Sequence, residues 1–216
     1  WSMYLTDADK NDAAMTESLK GDADGVLIFT GLFTATVAAF IIEVYKQLLP
    51  DSGDATVDLL AGISTQIAFL SNGTQAPYVS PRPFNVPTHA IRINTLWFVS
   101  LGLSLFVALA ATLMQQWSRC YLHAARRRGP PHKRGPVHIH LYDGMKRFRI
   151  EGAVEVIIGL LHLSVFFFLA GLVDFLFVIS PTVARAFLPF VGCGACIYMA
   201  LTVLPLFSPT SPYDTP

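Results

Sequence analysis

Charge is what this chain has least of. Only 14% of its 216 residues are Asp, Glu, Lys or Arg, where soluble domains carry about 25%. The shortage is concentrated in long apolar stretches, and mean hydropathy is +0.49. A large water-soluble core is excluded on that ground, and a multi-pass helical membrane protein is implied. Cysteine is scarce too. Cys120, Cys193 and Cys196 do not make a secreted disulfide framework. A basic leader is missing, because some 25 polar, mostly acidic residues precede the first apolar run, so no signal peptide is expected. A chain opening on Trp1 rather than Met reads as a piece of a longer protein. There is no Gly-rich phosphate loop, nucleophile elbow, HExxH or kinase-like signature, which leaves no recognisable catalytic class.

What is present is a set of membrane-length runs. Residues 95–114 hold no charged side chain, over the roughly 20 residues that cross a bilayer. Trp97 and Trp117 mark the two ends, where amphipathic rings settle among headgroups. Further spans are expected at about 26–42, 154–179 and 186–207, the first of them short. The fold class is therefore an all-α membrane protein of four transmembrane helices in two hairpins. N-terminal and interfacial amphipathic helices accompany them. One domain covers residues 1–207, and 208–216 form a Pro/Ser-rich flexible tail. Gly31, Ala35 and Ala39 in the first span, and Ser100, Ser104, Ala108 and Thr112 in the second, recur every four residues. Such small-residue stripes let helices approach closely, so these two spans are expected to pack through them.

The loops set the threading. Nine of the 15 Lys and Arg lie within residues 119–149, against one acid, Asp143. The positive-inside rule makes the loop 118–153 cytosolic. Both termini are then cytosolic and 43–93 is an outer loop. The basic side chains Arg126, Arg127, Arg128, Lys133, Arg134, Lys146, Arg147 and Arg149 are candidate contacts for anionic lipid. Residues 137–150 read as an interfacial helix with Leu141, Met145 and Phe148 toward lipid. In the outer loop, 56–70 has helical periodicity through Val57, Leu60, Ile63, Ile67 and Leu70. Prolines 77, 81, 83 and 87 then read as an extended stretch. Asn72-Gly73-Thr74 matches a glycosylation acceptor. Residues 1–20 read as a helix that Gly21-Asp22-Ala23-Asp24-Gly25 breaks, with Asp22 or Asp24 capping the next one.

Glu155, His162 and Asp174 form the candidate intramembrane polar site, since an ionisable group in a bilayer costs roughly 2.5–3.5 kcal/mol. Glu155 has Arg147 or Arg149 within reach, and Asp174 has Arg185 across the hairpin. Their plainer role is structural pairing between helices. Cys193 and Cys196 have CxxC spacing, but they sit in an apolar helix where Gly192, Cys196 and Ala200 continue a packing stripe. His138 and His140, with His132 upstream, give weak metal spacing. No catalytic residue, metal or cofactor is expected.

The stretches 17–33 (ESLKGDADGVLIFTGLF), 38–43 (AAFIIE), 96–101 (LWFVSL) and 115–122 (QQWSRCYL) resemble an uncharacterised domain of mushroom-forming fungi, a domain of unknown function. The resemblance implies a fungal integral-membrane protein and supplies no catalytic residues. Tetraspanin-like and claudin-like readings fail for want of paired outer-loop cysteines. The function expected is a membrane anchoring or interaction module. Its partners are the lipid bilayer, anionic lipids, and a homo-oligomer or partner membrane helices, with no nucleic acid. The alternatives are a small oligomeric transporter or channel using Glu155, His162 and Asp174, and a lipid-modifying enzyme with His138 and His140 at the cytosolic face.

Overall fold

The computed structural model describes residues 1–71, 73, 84–126, 129–147 and 150–207; of Asp54, Lys146, Ile150, Glu151, Leu201 and 203–207 it describes the backbone alone. The described chain is helical and contains no strand. In order come α1 (Ser2–Val44), a 3-10 turn (Tyr45–Leu48), α2 (Ser52–Ser71), α3 (Thr88–Ala125), α4 (Pro131–Arg147), α5 (Ile150–Ile179) and α6 (Pro181–Phe207). Four helices are long and apolar enough to cross a membrane: α1, α3, α5 and α6. Candidate sites at Asn72, Arg127, Arg128 and Arg149, the Lys146 side chain, Phe148, prolines 77, 81 and 83, and the tail 208–216 lie outside what is described.

The expected break at residues 21–25 is absent, because α1 runs on for 43 residues. That is about 65 Å of helix, twice the roughly 30 Å of hydrocarbon. Gly21 and Gly25 face outward, while Leu19, Ala23 and Val26 are buried against Val107, Ala111, Met114, Ile157 and Leu161. Tertiary burial on both sides of the glycines outweighs a propensity penalty of about 1 kcal/mol each. Asp24 caps nothing; its Oδ1 accepts a hydrogen bond from Gln115 Nε2 on α3. The interfacial helix expected from residue 137 begins earlier, since Gly135 and Pro136 lie within α4.

α3 is the central helix, with α1 on one side and α5 on the other, and α6 packs on α5. Side-chain pairs run Asp12 with Tyr121, Asp24 with Gln115, and Thr34 with Ser104. The descending partner numbers are those of antiparallel helices. Buried positions on α1 fall at 5, 12, 16, 19, 23, 26, 30, 37, 41 and 44, the alternating three-and-four spacing of a coiled-coil seam.

The first two spans do pack together, but not through the stripe on α1. Gly31, Ala35 and Ala39 are exposed, and a Cβ added at Gly31 would meet nothing within 4 Å. α1 instead turns Val37, Ile41 and Val44 inward to meet Ile93, Trp97 and Phe168. With those large side chains filling the seam, close backbone approach is not needed. The stripe on α6 also faces out, because Gly192, Cys196 and Ala200 are exposed.

Inside the bundle, polar side chains bond across helices. Ser100 Oγ donates to the Ser164 carbonyl at 2.8 Å and Ser164 Oγ to the Ser100 carbonyl at 2.7 Å, and both residues are fully buried. Each hydroxyl bonds the other residue's backbone, so Ser100→Ala removes one bond and leaves its reciprocal. The expected loss is about 0.6 kcal/mol, read as a small shift in unfolding in mixed micelles, and the double alanine variant loses about twice as much.

Candidate functional site

The half of α1 that extends beyond its span meets the end of α3 and the basic helix α4. Asp12 and His138 are the centre of this meeting, at 4% and 3% exposed. Asp12 Oδ2 lies 2.8 Å from His138 Nε2, and Asp12 Oδ1 accepts from the Tyr121 hydroxyl at 3.0 Å. The other imidazole nitrogen, Nδ1, is 3.1 Å from the Tyr4 hydroxyl. A neutral ring with its proton on Nε2 accepts there, and an imidazolium donates, so the network is satisfied in either state. Burial, and then the bond to Asp12, raise the Tyr121 phenol above the ordinary tyrosine range. Its bond is thus intact below that range and is lost only as alkali ionises the folded phenol.

Around this centre, Arg134 Nη2 bonds both carboxylate oxygens of Asp9, at 3.0 and 3.3 Å, and the Ala125 carbonyl. Trp1 lies against Gly135, where a Cβ would have no room. The N-terminus and the basic loop therefore lie on the same side of the spans. Sequence spacing placed His138 in a weak metal pattern and singled out no role for Asp12. The structure joins them instead.

The three expected intramembrane groups are not brought together. His162 follows Glu155 by about 10 Å along α5 and precedes Asp174 by about 18 Å. Glu155 is exposed, and neither Arg147 nor any other described residue makes an ion pair with it. His162 is half-buried against Tyr198 on α6, with ring centroids 4.9 Å apart. It borders an apolar cleft of about 380 Å³ that Phe187 and Phe190 also line. Asp174 pairs with Arg92 on α3, not with Arg185. The guanidinium donates to both carboxylate oxygens, with Nε to Oδ2 at 2.6 Å. Arg185 turns back to the Pro181 carbonyl. The Asp174 carboxylate holds the Arg92 guanidinium above its ordinary range, through the hydrogen bond first and its charge second. Charge reversal by Arg92→Glu is expected to lower the yield of monodisperse protein, and adding Asp174→Arg is expected to restore it. Equal yields for the single and double variants would remove this pair from the fold's supports.

Of the candidate lipid contacts, Arg126, Lys133 and Arg147 are exposed, whereas Arg134 is partly buried in its pair with Asp9. His138 is buried and His140 exposed; two positions apart on a helix, they diverge by about 200°. Among the described residues no three His, Cys, Asp or Glu side chains group to hold a metal. Cys193 and Cys196 are free and exposed.

The profile of a family of unknown function, DUF6535, matches residues 1–178. The chain belongs to that family. No curated protein and no solved structure matches it. The DUF6535 match takes in α1 to α4 and nearly all of α5, hence the whole Asp12–His138 cluster and the Arg92–Asp174 pair. The cleft beside His162 is walled on one side by α6, beyond the match.

Proposed function

We infer that this DUF6535 chain is a membrane anchoring or interaction module. The supporting observation is where its intramembrane polar groups are directed. Ser100 with Ser164, Thr34 with Ser104, and the Trp97 indole N–H with the Phe168 carbonyl each join one helix to another. Such groups serve as interhelical glue in a medium that offers no water. The basic loop and the termini are cytosolic on this reading, and residues 43–93 face outward, since the loop carrying excess Lys and Arg stays inside.

Two measurements test it. The full chain reconstituted in vesicles should resist carbonate extraction and add no proton flux to that of protein-free vesicles. A flux that His162→Ala or Asp174→Asn abolishes would replace this reading with the transporter. For the threading, glycosylation in microsomes should modify Asn72, be lost in Asn72→Gln, and miss acceptor sites engineered into 119–149. Modification of those engineered sites would invert the orientation.

A further inference from the structure

We propose that the groove between α1 and α3, just beyond their spans, binds a phosphorylated polyol headgroup carrying more than one phosphate. The groove has a volume of about 330 Å³ and is lined by Glu17 and Lys20 from α1, by Gln115, Ser118 and Arg119 from α3, and by Arg126 at the C-terminal cap of α3. Three cations and one acid face it. Lys20, Arg119 and Arg126 are exposed, and among the described residues none of them makes an ion pair. They differ in this from Arg134, which Asp9 occupies, and from Arg92, which Asp174 occupies.

Height above the bilayer separates the three. Lys20 precedes the first span by six residues and Arg119 follows the second by five, about 8–9 Å along their helices. Long basic side chains at that height reach down to lipid phosphates. Trp117, 54% exposed on the opposite face of α3 and about 3 Å from Arg119 along the helix axis, marks the same headgroup level. Arg126 stands two turns further out, about 10 Å above Arg119. The groove thus offers cations at two levels along the membrane normal. A phosphodiester seated between Lys20 and Arg119 satisfies the lower level, and a phosphomonoester on the ring it carries satisfies the upper. Glu17 lies between them on the α1 wall, and a carboxylate there accepts hydrogen bonds from ring hydroxyls. A serine headgroup fits less well, because its carboxylate would meet Glu17 and its charges sit at one height. The same chemistry exists in a free inositol phosphate, so the source has to be tested.

The test uses the full chain in neutral detergent micelles with phosphatidylinositol bisphosphate bearing a fluorescent acyl chain, read by anisotropy. Arg119→Gln and Arg126→Gln are each expected to weaken binding about fivefold, the effect of roughly 1 kcal/mol per basic contact. Lys133→Gln removes the same charge from the exposed face of α4 and is expected to change nothing. Glu17→Ala, which removes the acceptor together with the charge, decides between a site and a diffuse field. Removing an acid strengthens nonspecific anion binding, whereas losing a hydroxyl acceptor weakens the specific complex. Stronger binding by Glu17→Ala, or an equal loss with Lys133→Gln, would overturn the proposal. So would phosphatidylserine competing as well as the bisphosphate lipid. Soluble inositol trisphosphate competing equally would keep the polyol phosphate and overturn its source in a lipid. Carbonate extraction of the same variants tests membrane anchoring separately, so the two readings fail independently.

Discussion

Asp12→Ala is expected to release α4 from α1 and α3. The substitution leaves His138 buried at 3% exposure with one ring nitrogen unpartnered, and it strips the Tyr121 hydroxyl of its acceptor. Removing one partner of a buried hydrogen bond costs about 1–3 kcal/mol, and more where the survivor is charged, because the survivor stays desolvated. Here the chain has an escape. α4 is joined to α3 and α5 by short segments, so it undocks and hydrates His138 while the spans remain packed. Hydrogen exchange on the full chain in micelles should show α4 amides losing protection, with residues 95–114 unchanged. Asp9→Ala is the internal comparison. Its partner Arg134 and Asp9 itself are 23% and 35% exposed, and a partly hydrated pair contributes about 1 kcal/mol or less. If the two variants exchange alike, the buried pair is not what docks α4.

That cluster also shows what could be read from the sequence and what could not. The four long apolar helices were legible because a water-soluble fold seldom carries runs of near-membrane length with so few charges. The unbroken α1 was not, since two glycines and two acids within five residues outweigh local apolar periodicity. A longer view held the answer. Leu5, Asp12, Thr16, Leu19, Ala23, Val26 and Thr30 keep the three-and-four spacing straight through residues 21–25, with a carboxylate inside the seam. An apolar pattern search passes over Asp12 for being polar. Two signals were available: the acids of residues 7–24 against the basic residues of 119–149, and a seam that would bury an acid without a partner. The small-residue stripes on α1 and α6 misled for a related reason. Four-residue spacing says that a helix has a smooth face, but not that this face is the one its neighbour uses. On α1 the larger side chains on the other face bury more surface against Trp97 and Phe168. The Asp174 partner went to Arg92 because α3 begins at Thr88, a turn or two before the apolar run that defined its span.

The second large effect is expected at Gly171, through Trp97. The indole is fully buried. It is ringed by Phe40, Phe168 and Phe175 with centroids 5.3–6.0 Å away, and its N–H is bonded to the Phe168 carbonyl at 3.2 Å. Gly171 on α5 lies beneath it. A Cβ at that position would be 2.5 Å from the indole nitrogen and 2.7 Å from Cδ1. The ring has no free direction to give way, so Gly171→Ala must push α5 from α3 or turn the indole off its bond. Overpacking of that kind costs about 1–3 kcal/mol. Trp97→Ala costs about 3–5 kcal/mol through the cavity it opens. The two changes should not add. In the Trp97→Ala background the alanine at 171 meets empty space, so its cost is expected to vanish or change sign. Unfolding of the four chains in mixed micelles measures the coupling directly. Gly31→Ala supplies the control on α1, where an added methyl meets nothing and helix propensity gains up to about 1 kcal/mol. Additive losses at 97 and 171 would mean that α5 adjusts without touching the ring, and that the α3–α5 contact is held by the Ser100–Ser164 pair one turn away.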